Sequence, residues 1–295
     1  MHAVHIYQIL NHYTSRQELD PGFDVLDNSG NERPDWYEYW PIRKFLLNEP
    51  LDENTFYGFL SPKFKLKTNL SSAEARDFIL ASSPKTDVVL FSPSIHNSAF
   101  FLNVFEHGNS EHPGLLDIAN RFFARLGSER SLDGLVSDSR NTVHSNYFIA
   151  KPRFWRAWLA ITEQMFAIAE TADDPLGEEL RAPTEYRGNR DVQMKIFLME
   201  RIATWILVKD PGFTARARDP FVARSRIYKL PVAIMCDALK IAYGTQGREQ
   251  YKVVFLMLRR FAKFWTFQIR ASGALGLGAE PFLKTLRSYW DKKAG

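Results

Sequence analysis

Two ionisable residues, Glu200 and Arg201, stand side by side in the apolar run "VQMKIFLMERIATWILV" (192–208). Helical spacing sets Glu200 between Ile196 and Thr204, and Arg201 between Phe197 and Trp205. A helix that is apolar nearly all round is a buried helix. A buried carboxylate needs a partner or takes a raised pKa, and such groups gather at functional sites. Two uses fit: a general base, or a structural ion pair tying the helix to a loop. A second stretch, "NTVHSNYFIAKP" (141–152), runs from polar residues (Asn141, Thr142, His144, Ser145, Asn146) into the apolar "YFIA". Such a strand can end at a cleft, where open α/β sheets bind ligands. A solvated strand entry fits equally well.

The segment "FEHGNSEHPG" spaces Glu106–His107 and Glu111–His112 five residues apart. That spacing matches no standard structural zinc site. No metal ligand is therefore assigned, and His112 reads as a polar contact at a site rim. In "NERPDWYEYWPIRKF" (31–45), Asp35 is a candidate N-cap with Glu38 three residues on, as in a capping box. Trp36, Tyr39, Trp40 and Arg43 would then share one face, although Pro41 should kink or restart the helix. The polar loop before it would border a cleft. The chain contains no G-x-G-x-x-G, Walker loop, G-x-S-x-G or C-x-x-C, so the simplest dinucleotide, NTPase, hydrolase and zinc readings lose support. There is also no D-x-D. The nearest carboxylate pairs, Glu18/Asp20 and Asp173/Asp174, read as surface charge.

The elements that must position these residues alternate. "VHIYQIL", "FYGFLSP", "TDVVLFSP" and "NTVHSNYFIAKP" read as strands. "DPGFDVLDNSGNERPD" reads as loop and turn. Helices are expected from Trp36 to about Leu47, after a Ser71 or Ser72 cap with Glu74 in the first turn, and over Ala99–Phe105 and Gly114–Leu126. Another carries a stripe of Phe154, Trp158, Ile161, Met165 and Ile168. Residues 171–191 read as a long polar loop of lid size. Asp191 reads as the cap of the 192–208 helix. Further helices are expected at Pro231–Tyr243, Arg248–Arg270 and Pro281–Lys292, the last two separated by "ASGALGLG". The fold class is therefore α/β, with a sheet domain over 1–210 and a basic helical C-terminal extension over 211–295.

A chain of 295 residues can bury a sizeable core. Its 45% hydrophobic and 24% charged residues are those of an ordinary globular protein. The single cysteine, Cys236, excludes an intrachain disulfide framework and suits a reducing compartment. The N-terminus lacks the pattern of a cleaved signal peptide. No stretch reaches the length of a spanning helix. A cytoplasmic protein, soluble or peripheral at the inner face of the membrane, is expected. Net charge is +4, but residues 221–295 hold 14 Lys/Arg against 4 Asp/Glu. An anionic membrane surface could meet that part, as could a merely solvated basic face. Nucleic-acid binding is not expected, because basic and aromatic residues do not interleave on a sheet face.

The order "YQIL", "LDN…NERPDWYEYWPIRKFL", "YGFLSPKFKLKT", "DVVLFSP", "NTVHSNYFIAKPRFWRAWL", "VQMKIFLMERIATWIL" resembles bacterial polysaccharide-biosynthesis proteins related to GT-A-type glycosyltransferases, over roughly residues 4–210. The resemblance implies a GT-A-like (Rossmann-like) nucleotide-sugar-binding sheet. It also implies transfer from a nucleotide-sugar donor to a saccharide or lipid-linked acceptor. Asp27, Asn28, Arg43, Tyr57, Ser61 and Lys63 would then approach the donor, and His144, Asn146, Tyr147 and Arg201 the sugar or acceptor. Glu200 would be the base of an inverting reaction. The missing D-x-D puts Mg or Mn in doubt, with Lys63, Arg43 or Arg201 as electrostatic substitutes. A non-catalytic carbohydrate- or partner-binding protein on the same scaffold, or a peripheral membrane scaffold, are the alternatives.

Overall fold

In β3 (Phe56–Leu60) every residue is buried, and alternate side chains enter different cores. Phe56 and Leu60 join one hydrophobic cluster, whereas Tyr57 and Phe59 join another. Val89 and Ile149 lie with the first set, and Val88, Leu90, Phe148 and Ala150 with the second. A strand buried on both faces reads as an unbroken apolar run, which is why "FYGFL", "VVL" and "FIA" are visible in the sequence.

The computed structural model describes residues 3–92, 98–186, 189–222 and 230–260. Its strands are β1 (Val4–Asn11), β2 (Asp24–Asn28), β3, β4 (Val88–Leu90), β5 (Phe148–Ala150), β6 (Pro183–Tyr186), β7 (Asn189–Gln193) and β8 (Ala215–Ala217). Six form one mixed sheet in the order β2-β1-β3-β5-β4-β8, and β6 and β7 form a separate antiparallel pair. β1 runs parallel to β2 and β3, and β4 parallel to β8. β5 is antiparallel to both of its neighbours. The protein is thus α/β with helices on both faces of the sheet. Helices Phe64–Thr68 and Ser72–Leu80 contribute Phe64, Ala75 and Ile79 to the first core. The second core is larger and takes side chains from Tyr39–Asn48, Val104–Glu111, Leu115–Arg125, Pro152–Glu170, Pro175–Arg181, Met194–Met199 and Ile202–Lys209.

The Ser71–Glu74 capping box forms as expected. Several other elements differ from the sequence reading. β2 lies inside the segment read as loop. It is an edge strand, largely exposed, so it carries no apolar run. The helix expected over Ala99–Phe105 starts at Val104, because Asn103 Oδ1 accepts the Phe105 and Glu106 amides. Residues 171–191 are not one loop but a helix, Pro175–Arg181, and the β6/β7 hairpin. Asp191 falls within β7, and the following helix begins after Gln193. That helix is not continuous over 192–208 but breaks at Glu200–Arg201 into Met194–Met199 and Ile202–Lys209.

β8 belongs to the sheet although it lies past residue 210. Its "ARA" sequence has no strand signature. It is held by backbone pairing to β4 and by Asp87, which accepts the Thr214 amide at 2.8 Å. Leu230–Gln246 and residues 249–260 are helical. The expected continuation to Arg270, the "ASGALGLG" break and the Pro281–Lys292 helix lie outside the described residues. Among the described residues no helix is long and apolar enough to cross a membrane.

Gly58 of β3 pairs with Ile149 of β5, whose side chain covers it. A Cβ at Gly58 would sit 2.4 Å from Ile149 Cγ1. Gly58→Ala should therefore lower unfolding free energy by about 1–3 kcal/mol through overpacking, measured by urea denaturation.

Candidate active site

β1 leads outward to β2, whereas β3 leads the other way, across β5 to β4. The chain therefore departs in opposite directions from the carboxyl ends of two adjacent parallel strands. In open α/β sheets that is where ligands bind. A cleft of about 740 Å³ opens there. That volume is in the usual range for small-molecule sites, roughly 300–1,000 Å³. The end of β1 supplies Asn11, His12, Tyr13 and Thr14 to its wall, and the end of β2 supplies Asn28 and Asn31. The end of β3 and the short helix after it supply Ser61, Pro62, Lys63, Leu66 and Lys67. Ser145 and Asn146 enter from the start of β5, and Ile196, Phe197, Met199 and Glu200 from the broken helix. Ile9, Glu18, Pro34, Trp36, Tyr37, Glu38, Tyr39 and Val192 complete it.

Backbone strain concentrates at this cleft. Among the described residues, six non-glycine residues have positive φ, and four of them (Asn31, Tyr37, Ser145 and Asn146) line it. Asn tolerates the left-handed region, but Tyr37, at φ +47° and ψ −129°, does not do so readily. Such outliers cost on the order of 1–3 kcal/mol each and persist where surrounding contacts impose them.

Those contacts replace the expected capping box. Residues Pro34–Trp36 form a short 3-10 turn, the helix starts at Tyr39, and Glu38 makes no cap hydrogen bond. Asp35 instead accepts both Arg33 (2.9 Å twice) and Lys195 (2.8 Å). Lys195 is 0% exposed, and its ammonium lies 3.9 Å from the Trp36 ring centroid. Two glutamates of the Pro152–Glu170 helix hold the rest. Glu170 accepts Arg33 and the Trp36 indole N–H, at 2.7 and 2.9 Å. Glu163 accepts the Tyr39 hydroxyl at 2.6 Å and Arg43 through two nitrogens, at 2.6 and 2.8 Å. The aromatic face of 36–43 is thus a docking surface with polar pins, and Glu38 is left pointing at the cleft.

Three glutamates, Glu18, Glu38 and Glu200, and two lysines, Lys63 and Lys67, line the cleft. Glu38 is pushed up to about 7, first by burial and then by the charge of Glu200, against the pull of Lys67 and Lys63. Burial raises Glu200 as well, opposed by Arg201 and Lys67. Lys67 Nζ donates to Ser145 Oγ at 3.0 Å.

Of the residues expected at a site, Asn28, Ser61, Lys63, Asn146 and Glu200 are brought together in the cleft. Tyr147 lies behind it, its hydroxyl 2.6 Å from Ser61 Oγ. The others lie elsewhere. Asp27 binds Ser29 and faces Arg16. Arg43 is held by Glu163. Tyr57 receives the Asp52 amide through its hydroxyl, away from the cleft lining. His144 packs on His107 and bonds to Ser98, and its buried imidazole is held well below the usual histidine range. Arg201 donates to the carbonyls of Val104 and Phe197, so its guanidinium ties the helix break to the Val104–Glu111 helix. His112, expected at a rim, is buried against the Phe197 ring, with centroids 3.6 Å apart. Among the described residues no three His, Cys, Asp or Glu side chains cluster as metal ligands.

Sequence reasoning did not assign Glu38, Lys67, Asn11, His12 or Tyr13 to the site. Glu38 was hidden by its fit to a capping box. Lys67 was legible only as the fourth residue after Lys63, one helical turn on. No family model, curated protein or solved structure matches the chain.

Two outcomes test this geometry. Asp35→Asn removes the carboxylate charge facing buried Lys195, and should cost about 1–3 kcal/mol in urea unfolding, as for a weakened charged hydrogen bond. Glu38, with a folded pKa of about 7 against an ordinary 4.5, contributes stability below pH 4.5 that is lost as pH rises through 7. Glu38→Gln should therefore unfold later than wild type at pH 8, by on the order of 1–3 kcal/mol, with the gain gone at pH 4.5.

Proposed function

We propose that the protein is a GT-A-type glycosyltransferase. It would move a sugar from a nucleotide-sugar donor to a saccharide or lipid-linked acceptor in the making of surface or secreted polysaccharide. The observation that carries this reading is the division of the cleft: Lys63 and Lys67 stand after β3, and the part-buried carboxylates Glu38 and Glu200 line the same space. Lysines suit a diphosphate, and a carboxylate suits the hydroxyl that replaces it. The mixed sheet, with its cleft at the carboxyl ends of β1 and β3, also favours a nucleotide ligand.

In an inverting transfer, Glu200 takes the proton of the acceptor hydroxyl. The new bond forms between that oxygen and the anomeric carbon. The bond from the anomeric carbon to the phosphate oxygen breaks, and the nucleoside diphosphate leaves with its electron pair. Lys63 and Lys67 meet the charge that develops on it. The amides of Asn11, Asn28 and Asn31 and the rings of His12 and Tyr13 supply hydrogen bonds and stacking surface for the nucleoside.

A divalent cation fits this donor set poorly, because two ammonium groups share the wall after β3 and no three-ligand cluster is present among the described residues. A lipid-linked acceptor would bring the protein to the inner face of a membrane, and the basic balance of residues 221–295 suits an anionic surface.

Thermal-shift titration with UDP-, GDP-, CMP- and dTDP-sugars, with and without Mn²⁺, tests the reading. One nucleotide class should raise Tm, and Lys63→Ala and Lys67→Ala should each weaken its binding roughly ten- to a hundredfold, as expected for a lost charged hydrogen bond. A panel without any stabilising member would overturn it.

A further inference from the structure

Leu66 stands at the mouth of the cleft with 83% of its surface exposed, more than any other large apolar side chain among the described residues. Two tyrosines share that mouth, Tyr13 at 64% and Tyr37 at 37% exposed. The three come from different elements: the Phe64–Thr68 helix, the end of β1, and the turn before the Tyr39–Asn48 helix. A left-handed backbone at Tyr37, φ +47°, holds its ring out there. Apolar side chains continue inward as Ile9, Ile196, Phe197 and Met199. Single exposed apolar residues are ordinary, but three around one cleft mouth mark a contact surface. Lys63 and Lys65 are both exposed and lie to either side of Leu66 on the helical turn. Neither ammonium makes a hydrogen bond or ion pair among the described residues. The acids around them are engaged. Asp20 accepts Ser72 Oγ, Glu74 accepts Ser71 Oγ and Glu18 accepts the Ser15 amide, each at 2.7 Å. Free ammonium groups beside an exposed leucine, with tyrosines at the rim, suit a layer that is anionic outside and apolar within.

We propose that this mouth is a membrane-contact surface for an anionic bilayer. Leu66 enters the acyl region, Tyr13 and Tyr37 lie at headgroup level, and Lys65 meets lipid phosphates. Lys63 stands between those phosphates and the cleft. Lys67 takes no part, because its ammonium is turned to Ser145 Oγ. The cleft then opens toward the bilayer, so the acceptor it takes is lipid-linked. A free saccharide would give Leu66 nothing apolar to pack on. The choice of acceptor rests on the transferase reading, whereas the contact itself does not. A second exposed apolar face, Val253, Val254 and Met257, is the rival contact. Two cations of its helix are drawn elsewhere: Arg259 binds Glu106 at 2.7 Å, and Lys252 lies over the Tyr243 ring.

Vesicle sedimentation tests the contact without a sugar nucleotide. The protein should pellet with vesicles of phosphatidylglycerol and phosphatidylcholine in equal parts. It should stay in solution with phosphatidylcholine alone, and high salt should weaken the binding. Leu66→Asp should weaken binding roughly ten- to a hundredfold, as expected when one leucine leaves an apolar layer. Lys65→Glu should weaken it roughly tenfold or more. Both side chains are exposed, so both variants should keep the wild-type Tm. A polarity-sensitive fluorophore on the thiol of Leu66→Cys reports depth, because the native Cys236 is buried. Its emission should shift to the blue on anionic vesicles. The same label on Leu47→Cys, exposed but outside the cleft lining, should not shift. Absence of vesicle binding, or Leu66→Asp binding as wild type does, overturns the proposal. Loss of binding in Met257→Asp with Leu66→Asp unaffected places the contact on the rival face and overturns it equally. Vesicle binding in a protein that no sugar nucleotide stabilises leaves the contact standing and removes the transferase reading, so the two failures are distinguishable.

Discussion

A lysine with no exposed surface fixes the arrangement of the whole cleft. Lys195 reaches Asp35 at 2.8 Å across the face of Trp36. Asp35 lies three residues before Glu38, and Lys195 five residues before Glu200. One buried contact therefore sets the two carboxylate-bearing segments against each other. Its net worth in stability can be small, because desolvating a charge offsets much of the Coulomb gain. Its value lies in register: an apolar contact could slide, whereas a buried ammonium accepts only a position that keeps a carboxylate opposite it.

The Pro152–Glu170 helix provides the anvil for that contact. It packs Phe154, Trp155 and Trp158 on the sheet and presents Glu163 and Glu170 to the segment 33–43. The polar pins sit at the rim of an aromatic cluster formed by Trp36, Tyr39, Trp40 and Phe166. Cationic Arg43 lies 4.4 Å from the Phe166 centroid, so charge and ring surface reinforce the same placement. The aromatics that dominate this segment are mostly packing. Tyr37 and Glu38, among them, line the cleft instead.

The helix break at Glu200–Arg201 follows the same division of labour. Arg201 donates to two backbone carbonyls, one in its own turn and one on the Val104–Glu111 helix. Its neighbour Glu200 faces the cleft. Of the two uses that fit this buried pair at the outset, the anchoring one belongs to Arg201, and Glu200 remains available to a ligand. Gly108 permits it, since a Cβ there would lie 2.3 Å from Arg201 Nε.

The sequence by itself determined the alternation of strands and helices, the runs "FYGFL", "VVL" and "FIA" buried on both faces, the Ser71 cap, and the placement of an ionisable pair in an apolar segment. These follow from local periodicity and from the cost of burying charge, which act within a few residues. Local pattern marked Asn146 and Glu200, the family resemblance added Asn28, Ser61 and Lys63, and the fold draws those five into one cleft. The sequence could not show β2 or β8, because edge strands are stabilised by pairing partners distant in the chain rather than by their own apolar content. Nor could it show that Asp35 binds Lys195, 160 residues away, instead of capping a helix. Only the tertiary structure decided that Glu38 and Glu200 line one cleft and that Arg43, Tyr57, His144 and Arg201 are turned to structural contacts. Which side of a polar side chain meets a partner depends on contacts between segments remote in sequence, and no spacing rule carries that information.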